Sequence, residues 1–390
     1  MFPHGRFPRI PLWLALLPLV AIVCFALWRQ GVKLSPDSQT YSLWADQLIA
    51  DHFNFKAAFA KLNFPVVPYN YALWVAYVAV HKLLFGNAWS LGVVIGNVLA
   101  LGLTTWLLVR LLKALECPNW GIALGLLAMA GVHEYSFWAN YALSDVSFVA
   151  LLTLWLVILL GSRQWWPLLP LGAVLLAYRP PAIVLLPLVA VAIAAGHLAK
   201  AEPTQRPLKL WALVAGLAAL ALVLTGLHAC IVADPSRWPF DGGRGWVSQL
   251  AEMYQRGIIV HDRPSTYVTP PESWLGYLGM TLRKFLYFWS PSAPEFSFAH
   301  KAINWITLLP LYLLAGFAVW RAFSIRQVMS AQRWRAVVIL SAWCLGLALF
   351  HALQVVDYDF RYRLPTIPAV LVLAVIGLTE WRRNGQNTGA

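Results

Sequence analysis

A chain of 390 residues that is 60% hydrophobic and only 12% charged, with a mean hydropathy of +0.65, is not a water-soluble domain. Such domains carry about twice that charged fraction. The formal net charge of +13 is distributed as short clusters between apolar runs rather than along one face, which argues against nucleic-acid binding.

Apolar runs of roughly 20 residues, enough to cross a bilayer, recur from one end to the other. They predict an all-α polytopic membrane protein, a single membrane-embedded unit over 1–390 with no soluble C-terminal domain. The first run, 10–27, follows Arg6 and Arg9 as a signal peptide would. Trp28 and Arg29 stand where small residues would mark a cleavage site, so the run reads as an uncleaved span. Pro36 and Asp37 come shortly after it. Tyr41, Trp44, Ala45, Leu48 and Ile49 then recur at helical spacing and give one apolar face, as an interfacial helix requires. The stretch 69–85 is short for a span, ends in His81 and Lys82, and carries Tyr69, Tyr71, Trp74 and Tyr77 as interfacial anchors.

Further spans are expected near 88–109, 119–138, 142–161, 166–178, 182–196, 208–232, 303–320, 336–355 and 364–380. With the first they make about ten crossings. Arg110/Lys113, Arg163, Lys200/Arg206/Lys209, Arg321/Arg326/Arg333/Arg335 and Arg382/Arg383 then fall on the side of Arg6/Arg9. The positive-inside bias makes that side cytoplasmic, with both termini in. The long segments 29–87 and 233–301 face outward and should hold interfacial helices. Both exceed the length of a simple connector, which marks binding or lid elements. The second carries an Asp241-Gly242-Gly243 turn, a Pro270-Pro271 break and an aromatic amphipathic stretch with Arg283 and Lys284. Cys24, Cys117, Cys230 and Cys344 are scattered without metal-ligand spacing and read as packing residues.

Three constellations converge on the outer side. Asp37 is a carboxylate at the mouth of a span, where ionisable groups are costly and functional by default; its bland alternative is an N-cap for the following helix. Arg179-Pro180-Pro181 interrupts the apolar stretch 166–195, because two prolines break a helix, and an arginine there needs an anionic partner or water. The alternative is a tight hairpin with a snorkelling arginine. The stretch 357–365 places Arg361 and Arg363 among Asp357 and Asp359, a suitable cradle for phosphate oxygens or else a self-paired charge cluster. Asp357 and Asp359 give only a weak hint of a divalent metal. Asp145 opens a span as either an N-cap or a site residue, and His133 and Glu134 are placed to face the same cavity.

Taken in order, Pro36-Asp37 with Tyr41, Asp145, Arg179-Pro180-Pro181 and Arg361-Tyr362-Arg363-Leu364-Pro365 resemble the GT-C superfamily of integral-membrane glycosyltransferases. The pattern is similar to that of lipid A aminoarabinose transferases and protein O-mannosyltransferases, and it covers nearly the whole chain. The resemblance implies transfer of a sugar from a polyprenyl-phosphate donor to a lipid, glycan or protein acceptor outside the cytoplasm, with no cofactor. It implies Asp37 as general base, with inversion at the anomeric carbon. Arg179, Arg361, Arg363 and Lys82 would bind the donor phosphate, and Tyr41, Asp145, Glu134 and Tyr362 would line the substrate pocket. One departure is that Trp89-Ser90-Leu91 follows Leu84-Phe85-Gly86-Asn87, where the aminoarabinose enzymes show a basic residue. Either Lys82 would substitute or the donor phosphate would sit differently. A bacterial cytoplasmic membrane with the site facing the periplasm is the expected location. A transporter or lipid-linked glycan flippase would call for paired broken helices, whereas only one break is evident. A relative of O-antigen polymerases and ligases would share the long outer loops and arginines without needing Asp37.

Overall fold

Backbone that enters lipid must satisfy its own hydrogen bonds, and apolar runs of this kind do so as helices. A computed structural model describes residues 12, 14–62, 67–161, 165–202, 205, 209, 274–293, 296–324, 329–353 and 359–387. The described residues form fourteen α-helices joined by short 3-10 turns, with no strand beyond one isolated bridge. In chain order they are α1 (Leu17–Gln30), α2 (Pro36–Ala50), α3 (Phe55–Ala60), α4 (Ala72–Phe85), α5 (Trp89–Ala114), α6 (Asn119–Gly131) and α7 (His133–Phe137). They continue with α8 (Asp145–Gly161), α9 (Leu168–Tyr178), α10 (Leu185–Leu198), α11 (Trp274–Trp289), α12 (Phe298–Phe323), α13 (Ala331–Leu353) and α14 (Ile367–Asn387). All of the expected span 208–232 but residue 209, and most of the segment 233–301, including Asp241-Gly242-Gly243 and Pro270-Pro271, lie outside the described residues.

Among the described residues, five runs are long and apolar enough to cross a bilayer: Tyr69–Ala114, Pro180–Leu198, Phe298–Phe323, Ala331–Leu353 and Phe360–Arg383. Four shorter apolar helices, Leu14–Gln30, Asn119–Gly131, Asp145–Gly161 and Leu168–Tyr178, stand at further expected spans. This is a helical membrane protein.

The run Tyr69–Ala114 is folded back on itself. Gly86 takes a positive φ of 54° between α4 and α5, a conformation that favours glycine. A Cβ at Gly92 would meet the His81 and Phe85 rings, and one at Gly96 would meet the Tyr77 hydroxyl. Those pairings make α4 and the first half of α5 antiparallel. The 14 residues of α4 extend only about 21 Å, short of the roughly 30 Å hydrocarbon core.

One helix organises the rest. From Ile367 to Ile376, α14 is apolar and almost entirely buried, and it packs against α12, α13, α6 and α5. Small residues set the closest approaches: Gly125 of α6 faces Val375 and Leu371, and Gly377 of α14 lies against the Leu314 carbonyl of α12.

The expected span 119–138 ends early, at Gly131. Val132 is extended (φ −72°, ψ 105°), and α7 and a 3-10 turn at Trp138–Asn140 follow. The irregular backbone that results is satisfied locally. Asn97 of α5 donates its amide to the Tyr141 and Leu143 carbonyls at 2.9 and 3.0 Å. Lys33 pairs with the same segment, its N–H on the Asn140 carbonyl and its own carbonyl accepting from Ala142 N–H.

Many of the described charges gather at the two ends of α14. Arg361 and Arg363 lie just before it and Glu380 near its far end, about 25 Å away at a helical rise.

Candidate active site

The local sequence frees Asp37 for a role other than capping. Ser35 is the N-cap of α2: its hydroxyl accepts from Ser38 N–H at 3.2 Å, while Ser35 N–H donates to the Ser38 hydroxyl at 3.1 Å. With that reciprocal box made and Pro36 opening the helix, the Asp37 carboxylate points elsewhere. Its Oδ2 lies 2.6 Å from Arg361 Nη2, and its side chain remains 42% exposed.

Arg361 is shared between two carboxylates. Asp359 caps the 3-10 turn Phe360–Thr366, its Oδ1 accepting from Arg361 N–H at 3.0 Å and its Oδ2 lying 3.1 Å from Arg361 Nε. Both Asp359 oxygens are therefore committed to Arg361. Asp357, the other half of the possible metal pair, lies outside the described residues. No group of three or more His, Cys, Asp or Glu side chains is arranged to hold a metal among the described residues.

Arg179 sits at the end of α9 in extended backbone, where Pro180 and Pro181 stop the helix. Its side chain turns inward rather than snorkelling. Nη1 is 2.5 Å from Asp145 Oδ1, and the guanidinium stands 5.8 Å from the Phe148 ring centroid. Burial alone would lower the Arg179 pKa, but the Asp145 carboxylate more than offsets it and holds the guanidinium firmly charged. Asp145 opens α8 and is tied to the break after α9 by this buried pair.

Tyr41 connects these two pairs. It is buried on α2 against Trp44, Tyr71 and Trp74, with ring centroids at 5.7, 5.3 and 6.2 Å. Burial pushes its phenol well above the usual value. Tyr71, Asp37 and Asp145 push the same way and Arg179 opposes them, so Tyr41 feels both ion pairs. Trp74 in turn packs on Tyr178, whose hydroxyl donates to Ser147 of α8 at 2.7 Å.

A second, fully buried unit lies beside the first. Glu134 Oε1 accepts from Arg363 Nη2 and from the Asn304 amide, the latter at 3.1 Å, and Arg363 Nη1 donates to the Ser290 carbonyl. Burial raises the Glu134 pKa, but the Arg363 guanidinium more than offsets that and leaves the carboxyl below its ordinary range. Arg363 thus ties together α7, α12 and the end of α11. It does not open to the surface as a free cradle would. His133 stacks on Phe137 at 4.5 Å and packs at a tilt against His300 at 4.0 Å; burial, with His300 adding to it, lowers His133 to about 4.

Tyr362 stacks face to face on His351 of α13 (4.5 Å, 6° between planes), and His351 also stacks on Phe288 of α11. Lys82 is held elsewhere: its ammonium lies 2.6 Å from Asp46 and donates to the Ser42 carbonyl at 3.0 Å. Asp46 is two and a half turns beyond Asp37 on α2, about 13 Å along the axis, so Lys82 does not join the arginines.

The structure therefore brings Asp37, Tyr41, Asp145, Arg179 and Arg361 into one cluster. Glu134, Arg363 and Tyr362 form its supporting wall, and Lys82 stands apart. Sequence reasoning read Tyr71 only as an interfacial anchor and passed over Asn304, His300 and His351. Asn304 offered a signal, since an amide inside an apolar run needs a buried partner. Compared with known proteins, the chain matches no family model, no curated protein and no solved structure. Fold and site together define a class only: a helical membrane protein with a carboxylate–guanidinium cluster at one end of its central helix.

Proposed function

We propose that the protein is a membrane glycosyltransferase that moves a sugar from a polyprenyl-phosphate donor to an acceptor hydroxyl at the outer face of the membrane. The observation that carries this reading is the Asp37–Arg361 pair: a part-exposed carboxylate in contact with a guanidinium, at the end of the helices where a lipid phosphate would lie. In the reading, about ten crossings leave both termini inside, in a bacterial cytoplasmic membrane with the cluster facing the periplasm.

Each of the three arginines already faces a carboxylate, so an incoming phosphate must compete for one. Arg361 is the candidate, because its side chain is 16% exposed whereas those of Arg179 and Arg363 are 8% and 0%. The donor phosphate takes the outer side of Arg361 and releases Asp37, while Asp359 keeps the guanidinium in place. Asp37 then accepts the proton of the acceptor hydroxyl as its oxygen attacks the anomeric carbon. The bond from that carbon to the phosphate oxygen breaks, polyprenyl phosphate leaves with the electron pair, and Arg361 stabilises its charge. A single displacement inverts the anomeric centre.

The test is transfer from a labelled polyprenyl-phosphate sugar by purified protein. Asp37→Asn, which keeps the side-chain shape, is expected to lower turnover at least about 100-fold while inserting and purifying normally. Turnover near the wild-type rate in that variant would remove Asp37 as the base.

A further inference from the structure

The end of the bundle opposite the Asp37 cluster carries a charge imbalance that sugar transfer does not use. Glu380, near the end of α14, is buried and meets three arginines: Arg333 Nη1 at 2.8 Å, Arg321 Nη2 at 3.5 Å and Arg383 Nη1 at 3.5 Å. One carboxylate cannot neutralise three guanidiniums.

Arg333 is well held by other means. Its Nε donates to the Leu115 carbonyl at 2.8 Å and its Nη2 to the Glu116 carbonyl at 2.7 Å, just past the C-terminus of α5, where helix carbonyls favour a cation. Arg321 is not held in this way. Its side chain is 4% exposed, its one contact to an acid among the described residues is the long one to Glu380, and its Nε and Nη1 are buried without a hydrogen-bond partner. Buried donors left unmade are costly, and a guanidinium more so. Arg383, more than half exposed, stands at the rim of the same carboxylate.

The surroundings place this corner at the level of lipid headgroups. Trp320 and Trp381, neighbours in sequence of Arg321 and Glu380, are exposed, and so is Trp106. Arg110 lies over the Trp106 ring at 4.5 Å and Arg382 over the Trp120 ring at 4.9 Å. Exposed indoles interleaved with cations are the composition of a membrane interface. Apolar side chains such as Leu309, Leu313 and Trp320 continue along the outside of α12 toward the middle of the bundle, as a surface for acyl chains would.

We propose that Arg321 and Arg383 bind the phosphate of an anionic phospholipid, with Trp320 and Trp381 flanking its glycerol region. A phosphodiester offers two unhindered oxygens to two guanidiniums and supplies the negative charge that Glu380 alone does not. A zwitterionic lipid presents the same phosphate with its own ammonium beside it and gains less. The proposal is independent of the chemistry at the Asp37 end.

The experiment uses the full-length protein, partly delipidated in a neutral detergent and then titrated with phosphatidylglycerol, phosphatidylcholine or inorganic phosphate. Bound lipid is counted by native mass spectrometry and thermal unfolding is followed in parallel. Wild-type protein is expected to retain phosphatidylglycerol about tenfold better than phosphatidylcholine and to be stabilised by it. Arg321→Gln should abolish most of that preference. Arg383→Gln, on an exposed side chain whose loss does not threaten folding, should weaken it severalfold. Arg110→Gln, whose guanidinium meets Trp106 and not Glu380, should leave it unchanged. Equal retention of the two lipids by the wild type, or an unchanged preference in both Arg321→Gln and Arg383→Gln, overturns the site. Stabilisation by inorganic phosphate equal to that by phosphatidylglycerol would mean a soluble-anion site and overturn the assignment to lipid.

Discussion

At the scale of single residues, the site rests on which side chains are spared for it. Ser35 and Ser38 cap α2, so Asp37 is not needed there and can face Arg361. Asp359 holds Arg361 by backbone and side chain together, so the guanidinium stays in place whether or not Asp37 is bound. This asymmetry gives a direct prediction. If a phosphate and Asp37 compete for the outer side of Arg361, Asp37→Asn should bind farnesyl phosphate about threefold to tenfold more tightly than wild type, on the order of 1 kcal/mol for a part-exposed ion pair. Asp46→Asn, on the same helix but paired with Lys82, should not change the affinity. Calorimetry in detergent checks both. Unchanged or weaker binding by Asp37→Asn would end the competition and leave the catalytic role to be judged by turnover alone. Residue types were legible in the sequence here and pairings were not. A carboxylate after a span and arginines before the last one are visible as such. That Arg361 meets Asp37 while Arg363 meets Glu134 follows from a 3-10 turn that sends alternate side chains to different neighbours.

At the scale of elements, apolar length located helices well and their ends less well. The spans expected near 88–109 and 303–320 correspond to α5, Trp89–Ala114, and α12, Phe298–Phe323, each extended by residues that hydropathy alone leaves out. The span expected over 119–138 is cut at Gly131, because Glu134 and the backbone after it are drawn into pairing with Arg363, Asn304 and Asn97. A sequence window counts apolar residues and cannot weigh a buried ion pair made by a distant segment. Glycines carry helix-packing information that composition also hides. A Cβ at Gly377 would strike the Leu314 carbonyl and nearby α12 backbone, which cannot yield as a side chain does. Gly377→Ala should therefore destabilise the protein by roughly 1–3 kcal/mol as an overpacking change. Gly102→Ala on α5, where a Cβ meets nothing within 4 Å, should be neutral or slightly stabilising. Thermal unfolding of the two variants in the same detergent checks this, and equal midpoints would refute the close α12–α14 crossing.

At the scale of the whole molecule, the charge pattern has a spatial meaning that its total conceals. The Asp37 cluster and the Glu380 cluster stand at opposite ends of α14, about 25 Å apart, which approaches the thickness of a hydrocarbon core. The first balances arginines with carboxylates, as a site that handles charge requires. The second leaves an excess of arginine, as the cytoplasmic end of a membrane protein does. The sequence carried this division because basic clusters recur at every second connection. It could not show that Arg321 and Arg333 are buried around one acid, or that Arg335 holds the Leu159 carbonyl, because those contacts join helices distant in the chain. The division predicts opposite accessibility for two exposed positions, Gln39 on α2 and Lys113 on α5. In a background where Cys24 and Cys230 are replaced by serine, Gln39→Cys should react with a membrane-impermeant maleimide in spheroplasts. Lys113→Cys should react only after the membrane is permeabilised. Labelling of both from outside would show that the two clusters do not lie across a bilayer. The reverse pattern would place the Asp37 cluster on the cytoplasmic side, where a donor presented at the outer leaflet cannot reach it.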